Sequence, residues 1–393
     1  MNPELWQTRP LLALASLVPI LLGALWMAAA RDLPGLRGRP AVVGWLTWLL
    51  TRVGLSAVIW GLLGHQGVDQ LTFFLPQARA ALEGGVPYRD FHSAYAPLFA
   101  PLLGLTVRGL GMIGPLVLFL LADLGAWRAL AAAEGEDSEA AWAWCALPMV
   151  WYFTVRYAQD ESLAACCVCF AWWAMRRERA MLAGLALGIG LLITKPLFLL
   201  LALPFVLAAG ARRGAVLLGT AIPTVVGYGA LLMMHAPILQ PLTLEGANFG
   251  VGPTLWRVPV VLLGIDLGPA GWSPFLLLVA WGAWRMRKGG VGAEAHGAWQ
   301  FAAFAAFAPK FMPMYALMWA PLLALWAAPD ADRRGWLLVY GVLLPLAWYL
   351  DSGPLQGVFG AGWQVTGVLG LVSIALLSLW PLRAMLRQKP IAP

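Results

Sequence analysis

Apolar residues run along this chain in continuous blocks, each closed by a proline, a glycine or a short charged cluster. Blocks without period-two alternation predict α-helices and exclude a closed β-barrel. The first two, 11–30 and 41–63, predict N-terminal membrane spans. The longest polar interruption follows at 64–97, GHQGVDQLTFFLPQARAALEGGVPYRDFHSAYAP, where apolar positions recur at helical spacing between Leu71 and Leu82. That spacing predicts an amphipathic helix lying on the membrane surface within a first external loop.

Residues 98–234 supply core spans. The stretch 97–133 reads either as one long span broken around Arg108–Pro115 or as two short ones; the charge pattern favours one crossing with a re-entrant or interfacial first part. Spans at 140–155 and 162–175 flank the polar knot RYAQDE, Arg156–Glu161. Two short runs, 181–194 and 197–209, meet at Lys195–Pro196, and 215–234 leads to a second external loop at 235–268. Further spans fill 269–393, with Lys310 at a tight turn. The sum is about 13 spans, many shorter than the roughly 20 residues of a perpendicular crossing. The expected fold class is therefore all-α, a polytopic transmembrane helix bundle forming one integral membrane domain over 1–393.

Composition agrees: 61% of the 393 residues are hydrophobic and 11% charged, with a mean hydropathy of +0.75. Soluble domains carry about 25% charged residues. The net charge of +7 does not point to nucleic acid, because the basic residues sit in short loops between spans. The clusters Arg31–Arg39, Arg176–Arg179, Arg212–Arg213, Arg285–Lys288, Arg333–Arg334 and Arg383–Lys389 mark the cytoplasmic side. Topology does not require the outer basic residues Arg9, Arg79, Arg89, Arg156, Lys195, Arg257 and Lys310, which makes them informative. The N-terminus lacks a basic flank and reads as a retained helix rather than a signal peptide. Cys145, Cys166, Cys167 and Cys169 lie inside apolar runs and read as core packing. Arg52 sits within a span, where a charge costs about 2.5–3.5 kcal/mol, so it is expected to face the bundle interior or a wet cavity.

The external polar set is Asp69, Asp90, Gln159, Asp160, Glu161, Lys195, Arg257, Lys310, Tyr315 and Asp351. Lysines at the turns TKP and PKFMPMY favour an anionic ligand at the outer leaflet, although each also suits a residue reaching for lipid headgroups. A polyprenyl-phosphate sugar fits, with its tail among the helices and its phosphate near the lysines. Sugar transfer then needs a base for an acceptor hydroxyl and charge neutralisation at the departing phosphate. Asp69 suits the base, with Asp90 behind it. Asp69 and Asp160 also read as helix caps, and Asp90 as a loop residue.

The order of these motifs resembles that of a known family. Asp69, Pro76, Ala78, Gly84–Gly85 and PYRDF, followed by YAP, resemble the first external loop of GT-C superfamily glycosyltransferases, in particular the polyprenyl-phosphate-mannose-dependent mannosyltransferase-like branch. YAQDESLAA, AGLALGIGLLITKPLFLLLALP and KFMPMYALMWAPLLAL are similar to later elements of that branch, so the resemblance spans 68–325. It implies a membrane hexosyltransferase, mannose-like in its sugar, with Asp69 as catalytic carboxylate. It also implies Lys195 and Lys310 as donor-site residues, and Gln159, Asp160, Glu161, Arg257 and Tyr315 of the external polar set are expected to bind substrate or donor beside them. The acceptor is a glycan, lipid or protein, and the partners are the lipid-linked donor and membrane lipids. Carboxylates are present for a divalent metal, but no cofactor is expected to be required. The site is expected on the extracytoplasmic face of the cell (inner) membrane in a multi-pass protein. An extra N-terminal span and no large soluble C-terminal domain are expected to set this chain apart. A transporter or flippase of lipid-linked sugars is the alternative, and it would require ionisable residues at the midplane and related halves. A non-catalytic scaffold is a further one.

Overall fold

The computed structural model describes residues 17–29, 38–64, 67–246, 252, 254–256, 259–260, 263–265, 268–288, 291–351 and 362–386. These residues are helical or irregular, with no named strand, and Pro87 and Phe91 form an isolated bridge. The all-α class is met. Three helices are long and apolar enough to cross a membrane: Pro40–Leu62, Phe99–Glu134 and Gly210–Met233. Shorter apolar helices are Ala180–Ile193, Pro196–Ala208, Pro313–Ala327 and Leu369–Ala384. About 13 spans were expected from the apolar runs, and proline accounts for part of the difference. It opens new helices at Pro148, Pro196 and Pro313, and Pro148 cuts the expected span 140–155 in two.

Contacts gather into two compact units. The first comprises Met1–His65, Glu136–Phe153 and Asn248–Pro393, and the second comprises Gln66–Gly135 and Thr154–Ala247.

In the first unit, helix Pro40–Trp48 continues through π-helical turns at Leu49–Gly54 and Ala57–Leu62. Arg52 lies in these turns and is fully buried. Helix Glu139–Ala146 is capped at its start by Ser138, whose hydroxyl accepts from the Ala141 N–H at 3.2 Å. It ends at Leu147 because Pro148 has no N–H to give the Trp144 carbonyl. Arg52 fills that gap. Its guanidinium donates to the carbonyls of Cys145 and Trp144, the latter at 3.1 Å. A cation on exposed carbonyls at a helix C-terminus is also favoured by the helix dipole. The interior position expected for Arg52 is met, and its partners are backbone oxygens. The rest of this unit packs on aromatics: Phe304 stacks on Trp319 at 5.0 Å and Trp336 on Tyr340 at 5.2 Å.

In the second unit, π-helical turns Gln70–Phe74 lead into helix Leu75–Leu82, within the expected amphipathic stretch. Gly84, at φ +86°, closes it: Gly85 N–H bonds the Ala80 carbonyl at 2.9 Å and Gly84 N–H that of Ala81 at 3.1 Å. The stretch 97–133 forms two helices, Phe99–Leu110 and Gly114–Glu134, parted by a tight turn at Gly111–Ile113. At ~1.5 Å per residue the first is about 18 Å long and the second about 31 Å. Only the second reaches across a hydrocarbon core of about 30 Å by itself. Helices Ala180–Ile193 and Arg213–Met233 pack closely through glycines, since a Cβ on Gly219 would stand 3.0 Å from Gly184 Cα.

Replacing Arg52 by Met is expected to remove the guanidinium's hydrogen bonds to the buried Cys145 and Trp144 carbonyls, at about 1–3 kcal/mol in all. The thermal midpoint in detergent should fall, and Lys at this position should recover only part of the loss. An unchanged midpoint for Arg52→Met would refute the carbonyl-capping role.

Candidate active site

Helix Ala180–Ile193 ends against a proline in the same way. Pro196 cannot donate to the Leu192 carbonyl, and Leu98 N–H does so instead, at 2.8 Å. Ala96 N–H bonds the Thr194 carbonyl at 2.8 Å, so the segment Tyr95–Leu98 is sewn along the TKP turn. This sets the Tyr95 ring beneath Lys195, with Nζ 5.1 Å from its centroid. Tyr95 is held in turn by stacking on Phe99 at 4.1 Å and by the edge of Phe74 at 5.7 Å.

Lys195 points at the polar knot. Its Nζ donates to Asp160 Oδ1 at 3.1 Å and Glu161 Oε1 at 2.5 Å. All three are buried, Lys195 being 7% exposed and each carboxylate 1%. The second oxygens, Asp160 Oδ2 and Glu161 Oε2, are buried without a hydrogen-bond partner. One ammonium thus faces two carboxylates in a place that hydrates none of them. Burial and the Glu161 carboxylate push the Asp160 carboxyl up to about 7, against the pull of Lys195, and Asp69 adds to the push. Asp160 is therefore the member of the cluster that takes up a proton most readily as pH falls toward neutrality, easing its excess negative charge. Burial likewise raises the Tyr95 phenol well above its ordinary range, so it stays neutral.

Asp69 enters from the other side of the knot. Two residues before it, Gly67 lies so close to Tyr157 that a Cβ would stand 2.6 Å from the Tyr157 carbonyl oxygen. Only glycine permits this approach, which brings the Asp69 turn onto the knot. Asp69 has helical dihedrals and makes no side-chain capping bond. Its carboxylate, half-buried, accepts from Gln159 Nε2 at 2.8 Å through Oδ2. The capping alternative is thus not what the structure has. Asp160 makes no capping bond either.

Asp90 stands apart from this arrangement. Its carboxylate accepts the Val86 N–H at 2.8 Å and pairs with exposed Arg89 at 2.9 Å. These bonds hold it down at about 2, Arg89 contributing most. A carboxylate so weakly basic is a poor general base, and this one closes its own turn. Lys310 and Tyr315 belong to the other compact unit, where Tyr315 packs at 6.3 Å from Phe304. Arg257 lies outside the described residues, and of Asp351 only the backbone is described.

The structure therefore brings Asp69, Gln159, Asp160, Glu161 and Lys195 together. It alters the expectation for Lys195, whose ammonium is already answered by two carboxylates and is not held out toward a phosphate. Tyr95 is the member the sequence reading left unassigned, though YAP was among the motifs. Asp123, fully buried within Gly114–Glu134, was hidden by its apolar neighbours. No group of three His, Cys, Asp or Glu side chains among the described residues is arranged to hold a metal ion.

Lys195→Met should destabilise the protein strongly, by about 3–5 kcal/mol, because it takes the cation away from buried Glu161 and Asp160 together. Asp160→Asn should cost far less. Asp160 binds its proton more tightly in the folded chain than in the unfolded one. The stability this lends is full at acid pH and is lost as pH rises from the ordinary carboxylate range through about 7. Thermal midpoints across that window should fall less steeply in Asp160→Asn than in the parent; parallel curves would contradict the shared-ammonium arrangement.

Compared with known proteins, the chain matches no family model and no curated protein sequence.

Proposed function

We propose that the protein is a multi-pass membrane glycosyltransferase of the GT-C type. In this reading it moves a hexose from a polyprenyl-phosphate donor to an acceptor hydroxyl on the extracytoplasmic face of the cell membrane. The observation that carries it is the Asp69 carboxylate, half-exposed, not engaged in capping its helix and held by a buried amide. A base needs that combination of access and fixed direction. The three helices long and apolar enough to cross a membrane support the setting. In the reaction, Asp69 takes the acceptor O–H proton while the acceptor oxygen bonds the anomeric carbon. The bond from that carbon to the phosphate oxygen breaks, and its electron pair leaves with the polyprenyl phosphate.

Lys195 takes a different role from the one the resemblance implies. Bound to Asp160 and Glu161, it holds the wall behind Asp69 and does not neutralise the leaving phosphate. Lys310 keeps its donor-binding role on the resemblance alone, and Arg257 and Tyr315 keep theirs on the sequence pattern alone. One observation favours a second reading, transport of a lipid-linked sugar. Asp123 is a fully buried carboxyl within an apolar helix, as a transporter would require. Transport moves the lipid between leaflets and makes no new glycosidic bond, so product analysis separates the two.

A strain lacking the protein should lose one glycan or glycolipid product and accumulate its acceptor, as read by mass spectrometry. The intact chain should restore that product, and Asp69→Asn should reduce it by at least ~100-fold while inserting normally. Near-normal product with Asp69→Asn would sink the assignment. A cysteine in place of Val68, which is exposed beside Asp69, should react with an impermeant thiol reagent in intact cells. Labelling only after permeabilisation would place the site on the opposite face.

A further inference from the structure

We infer that Gln159 is the positioning residue for Asp69, its amide occupying one carboxylate oxygen so that the other is presented in a fixed direction to a substrate hydroxyl. The inference deepens the proposed function and rests on Asp69 being the base.

The amide orientation follows from its neighbours. Gln159 Nε2 lies 2.8 Å from Asp69 Oδ2 and 3.4 Å from the Tyr157 carbonyl, and both are pure acceptors. Only the nitrogen end satisfies them, so the side chain cannot flip without opposing oxygen to oxygen. At 2% exposure it also has no water to turn toward. Asp69 Oδ1 receives no hydrogen bond among the described residues, which leaves it as the working oxygen.

The backbone that carries Gln159 is fixed from several directions. Ala158 beside it is fully buried at φ +49°, a left-handed conformation that turns the chain sharply. The Gln159 carbonyl accepts from Ser162 Oγ at 3.3 Å, and Ser162 Oγ stands 3.0 Å from Thr154 Oγ1. Lys195 ties down the next two residues, Asp160 and Glu161. Close approach of Gly67 to Tyr157 sets the distance from the Asp69 side. A glutamine whose only task was to fill space at a helix start would not need its amide aimed at a half-exposed carboxylate. A base oriented by a further group is the arrangement that catalysis rewards, since misalignment by about 1 Å costs on the order of 10²-fold in rate.

The test compares Gln159→Glu and Gln159→Met in the full chain, reconstituted in nanodiscs. Glu keeps the shape but replaces the donor with an acceptor set against Asp69. Met keeps the bulk and removes the donor. Both variants should lower kcat about tenfold or more with KM unchanged. An unchanged kcat in folded Gln159→Met, or a loss carried by KM alone, overturns the inference. Should Gln159→Glu fail to fold, the Met variant carries the same test. Failure of the base role itself would show separately, as near-wild-type turnover in Asp69→Asn.

Discussion

Lys195 Nζ stands between two carboxylates where almost no water reaches, and much of the second unit is arranged to keep it there. Lysine suits the position because its ammonium is a compact charge with three donor directions. Two go to Asp160 and Glu161, and the third side meets the Tyr95 ring. An ammonium held this way fixes the start of the helix Glu161–Arg176 and, through it, the turn that carries Gln159. The arrangement bears one carboxylate more than its cation in so dry a place, and that excess is what raises the affinity of Asp160 for a proton.

Partners from distant segments also meet the carbonyls at three proline breaks. A chain with little polar surface cannot leave carbonyls unmatched, because no water stands by to take them. Pro148 frees the Trp144 carbonyl, and Arg52 reaches it from a helix far away in sequence. Pro196 frees the Leu192 carbonyl, and Leu98 N–H takes it. In the first unit, helix Ala293–Phe307 ends just before Pro309, and its last carbonyls receive Leu255 N–H at 2.9 Å and Trp256 Nε1 at 2.7 Å. Each break thus joins distant segments. In the second unit that joint is what brings the YAP loop onto the lysine turn.

Much of this was legible in the apolar runs and their punctuation. The helical class, the amphipathic stretch after Asp69, the interruption after Arg108 and the polar knot all follow from residue order. Less legible was what shares space with each charge. Asp69 and Asp90 look alike in sequence, both external and both near turns. The difference lies in a backbone N–H from Val86 and a neighbouring Arg89, which engage Asp90 and leave Asp69 to Gln159. Lys195 at a turn reads as a cation awaiting an anion, because nothing in TKP reveals that the knot has already supplied two. Asp123 went unnoticed because averaging over a window dilutes one carboxyl among leucines and alanines.

The shared ammonium also constrains how a lipid-linked sugar would have to lie under the proposed reading. A phosphate brought to Lys195 would meet Asp160 and Glu161 first, both at hydrogen-bond distance from Nζ, and like charges at such range repel strongly in a low dielectric. Protonating Asp160 relieves only half of that. The knot is therefore hostile to the anionic end of a donor and tolerant of its neutral end, a sugar or an acceptor hydroxyl. Were the protein to transfer a sugar as proposed, that asymmetry would keep the leaving phosphate away from Asp69, and the cluster would serve as a partition between the two ends of the reaction rather than as a phosphate clamp.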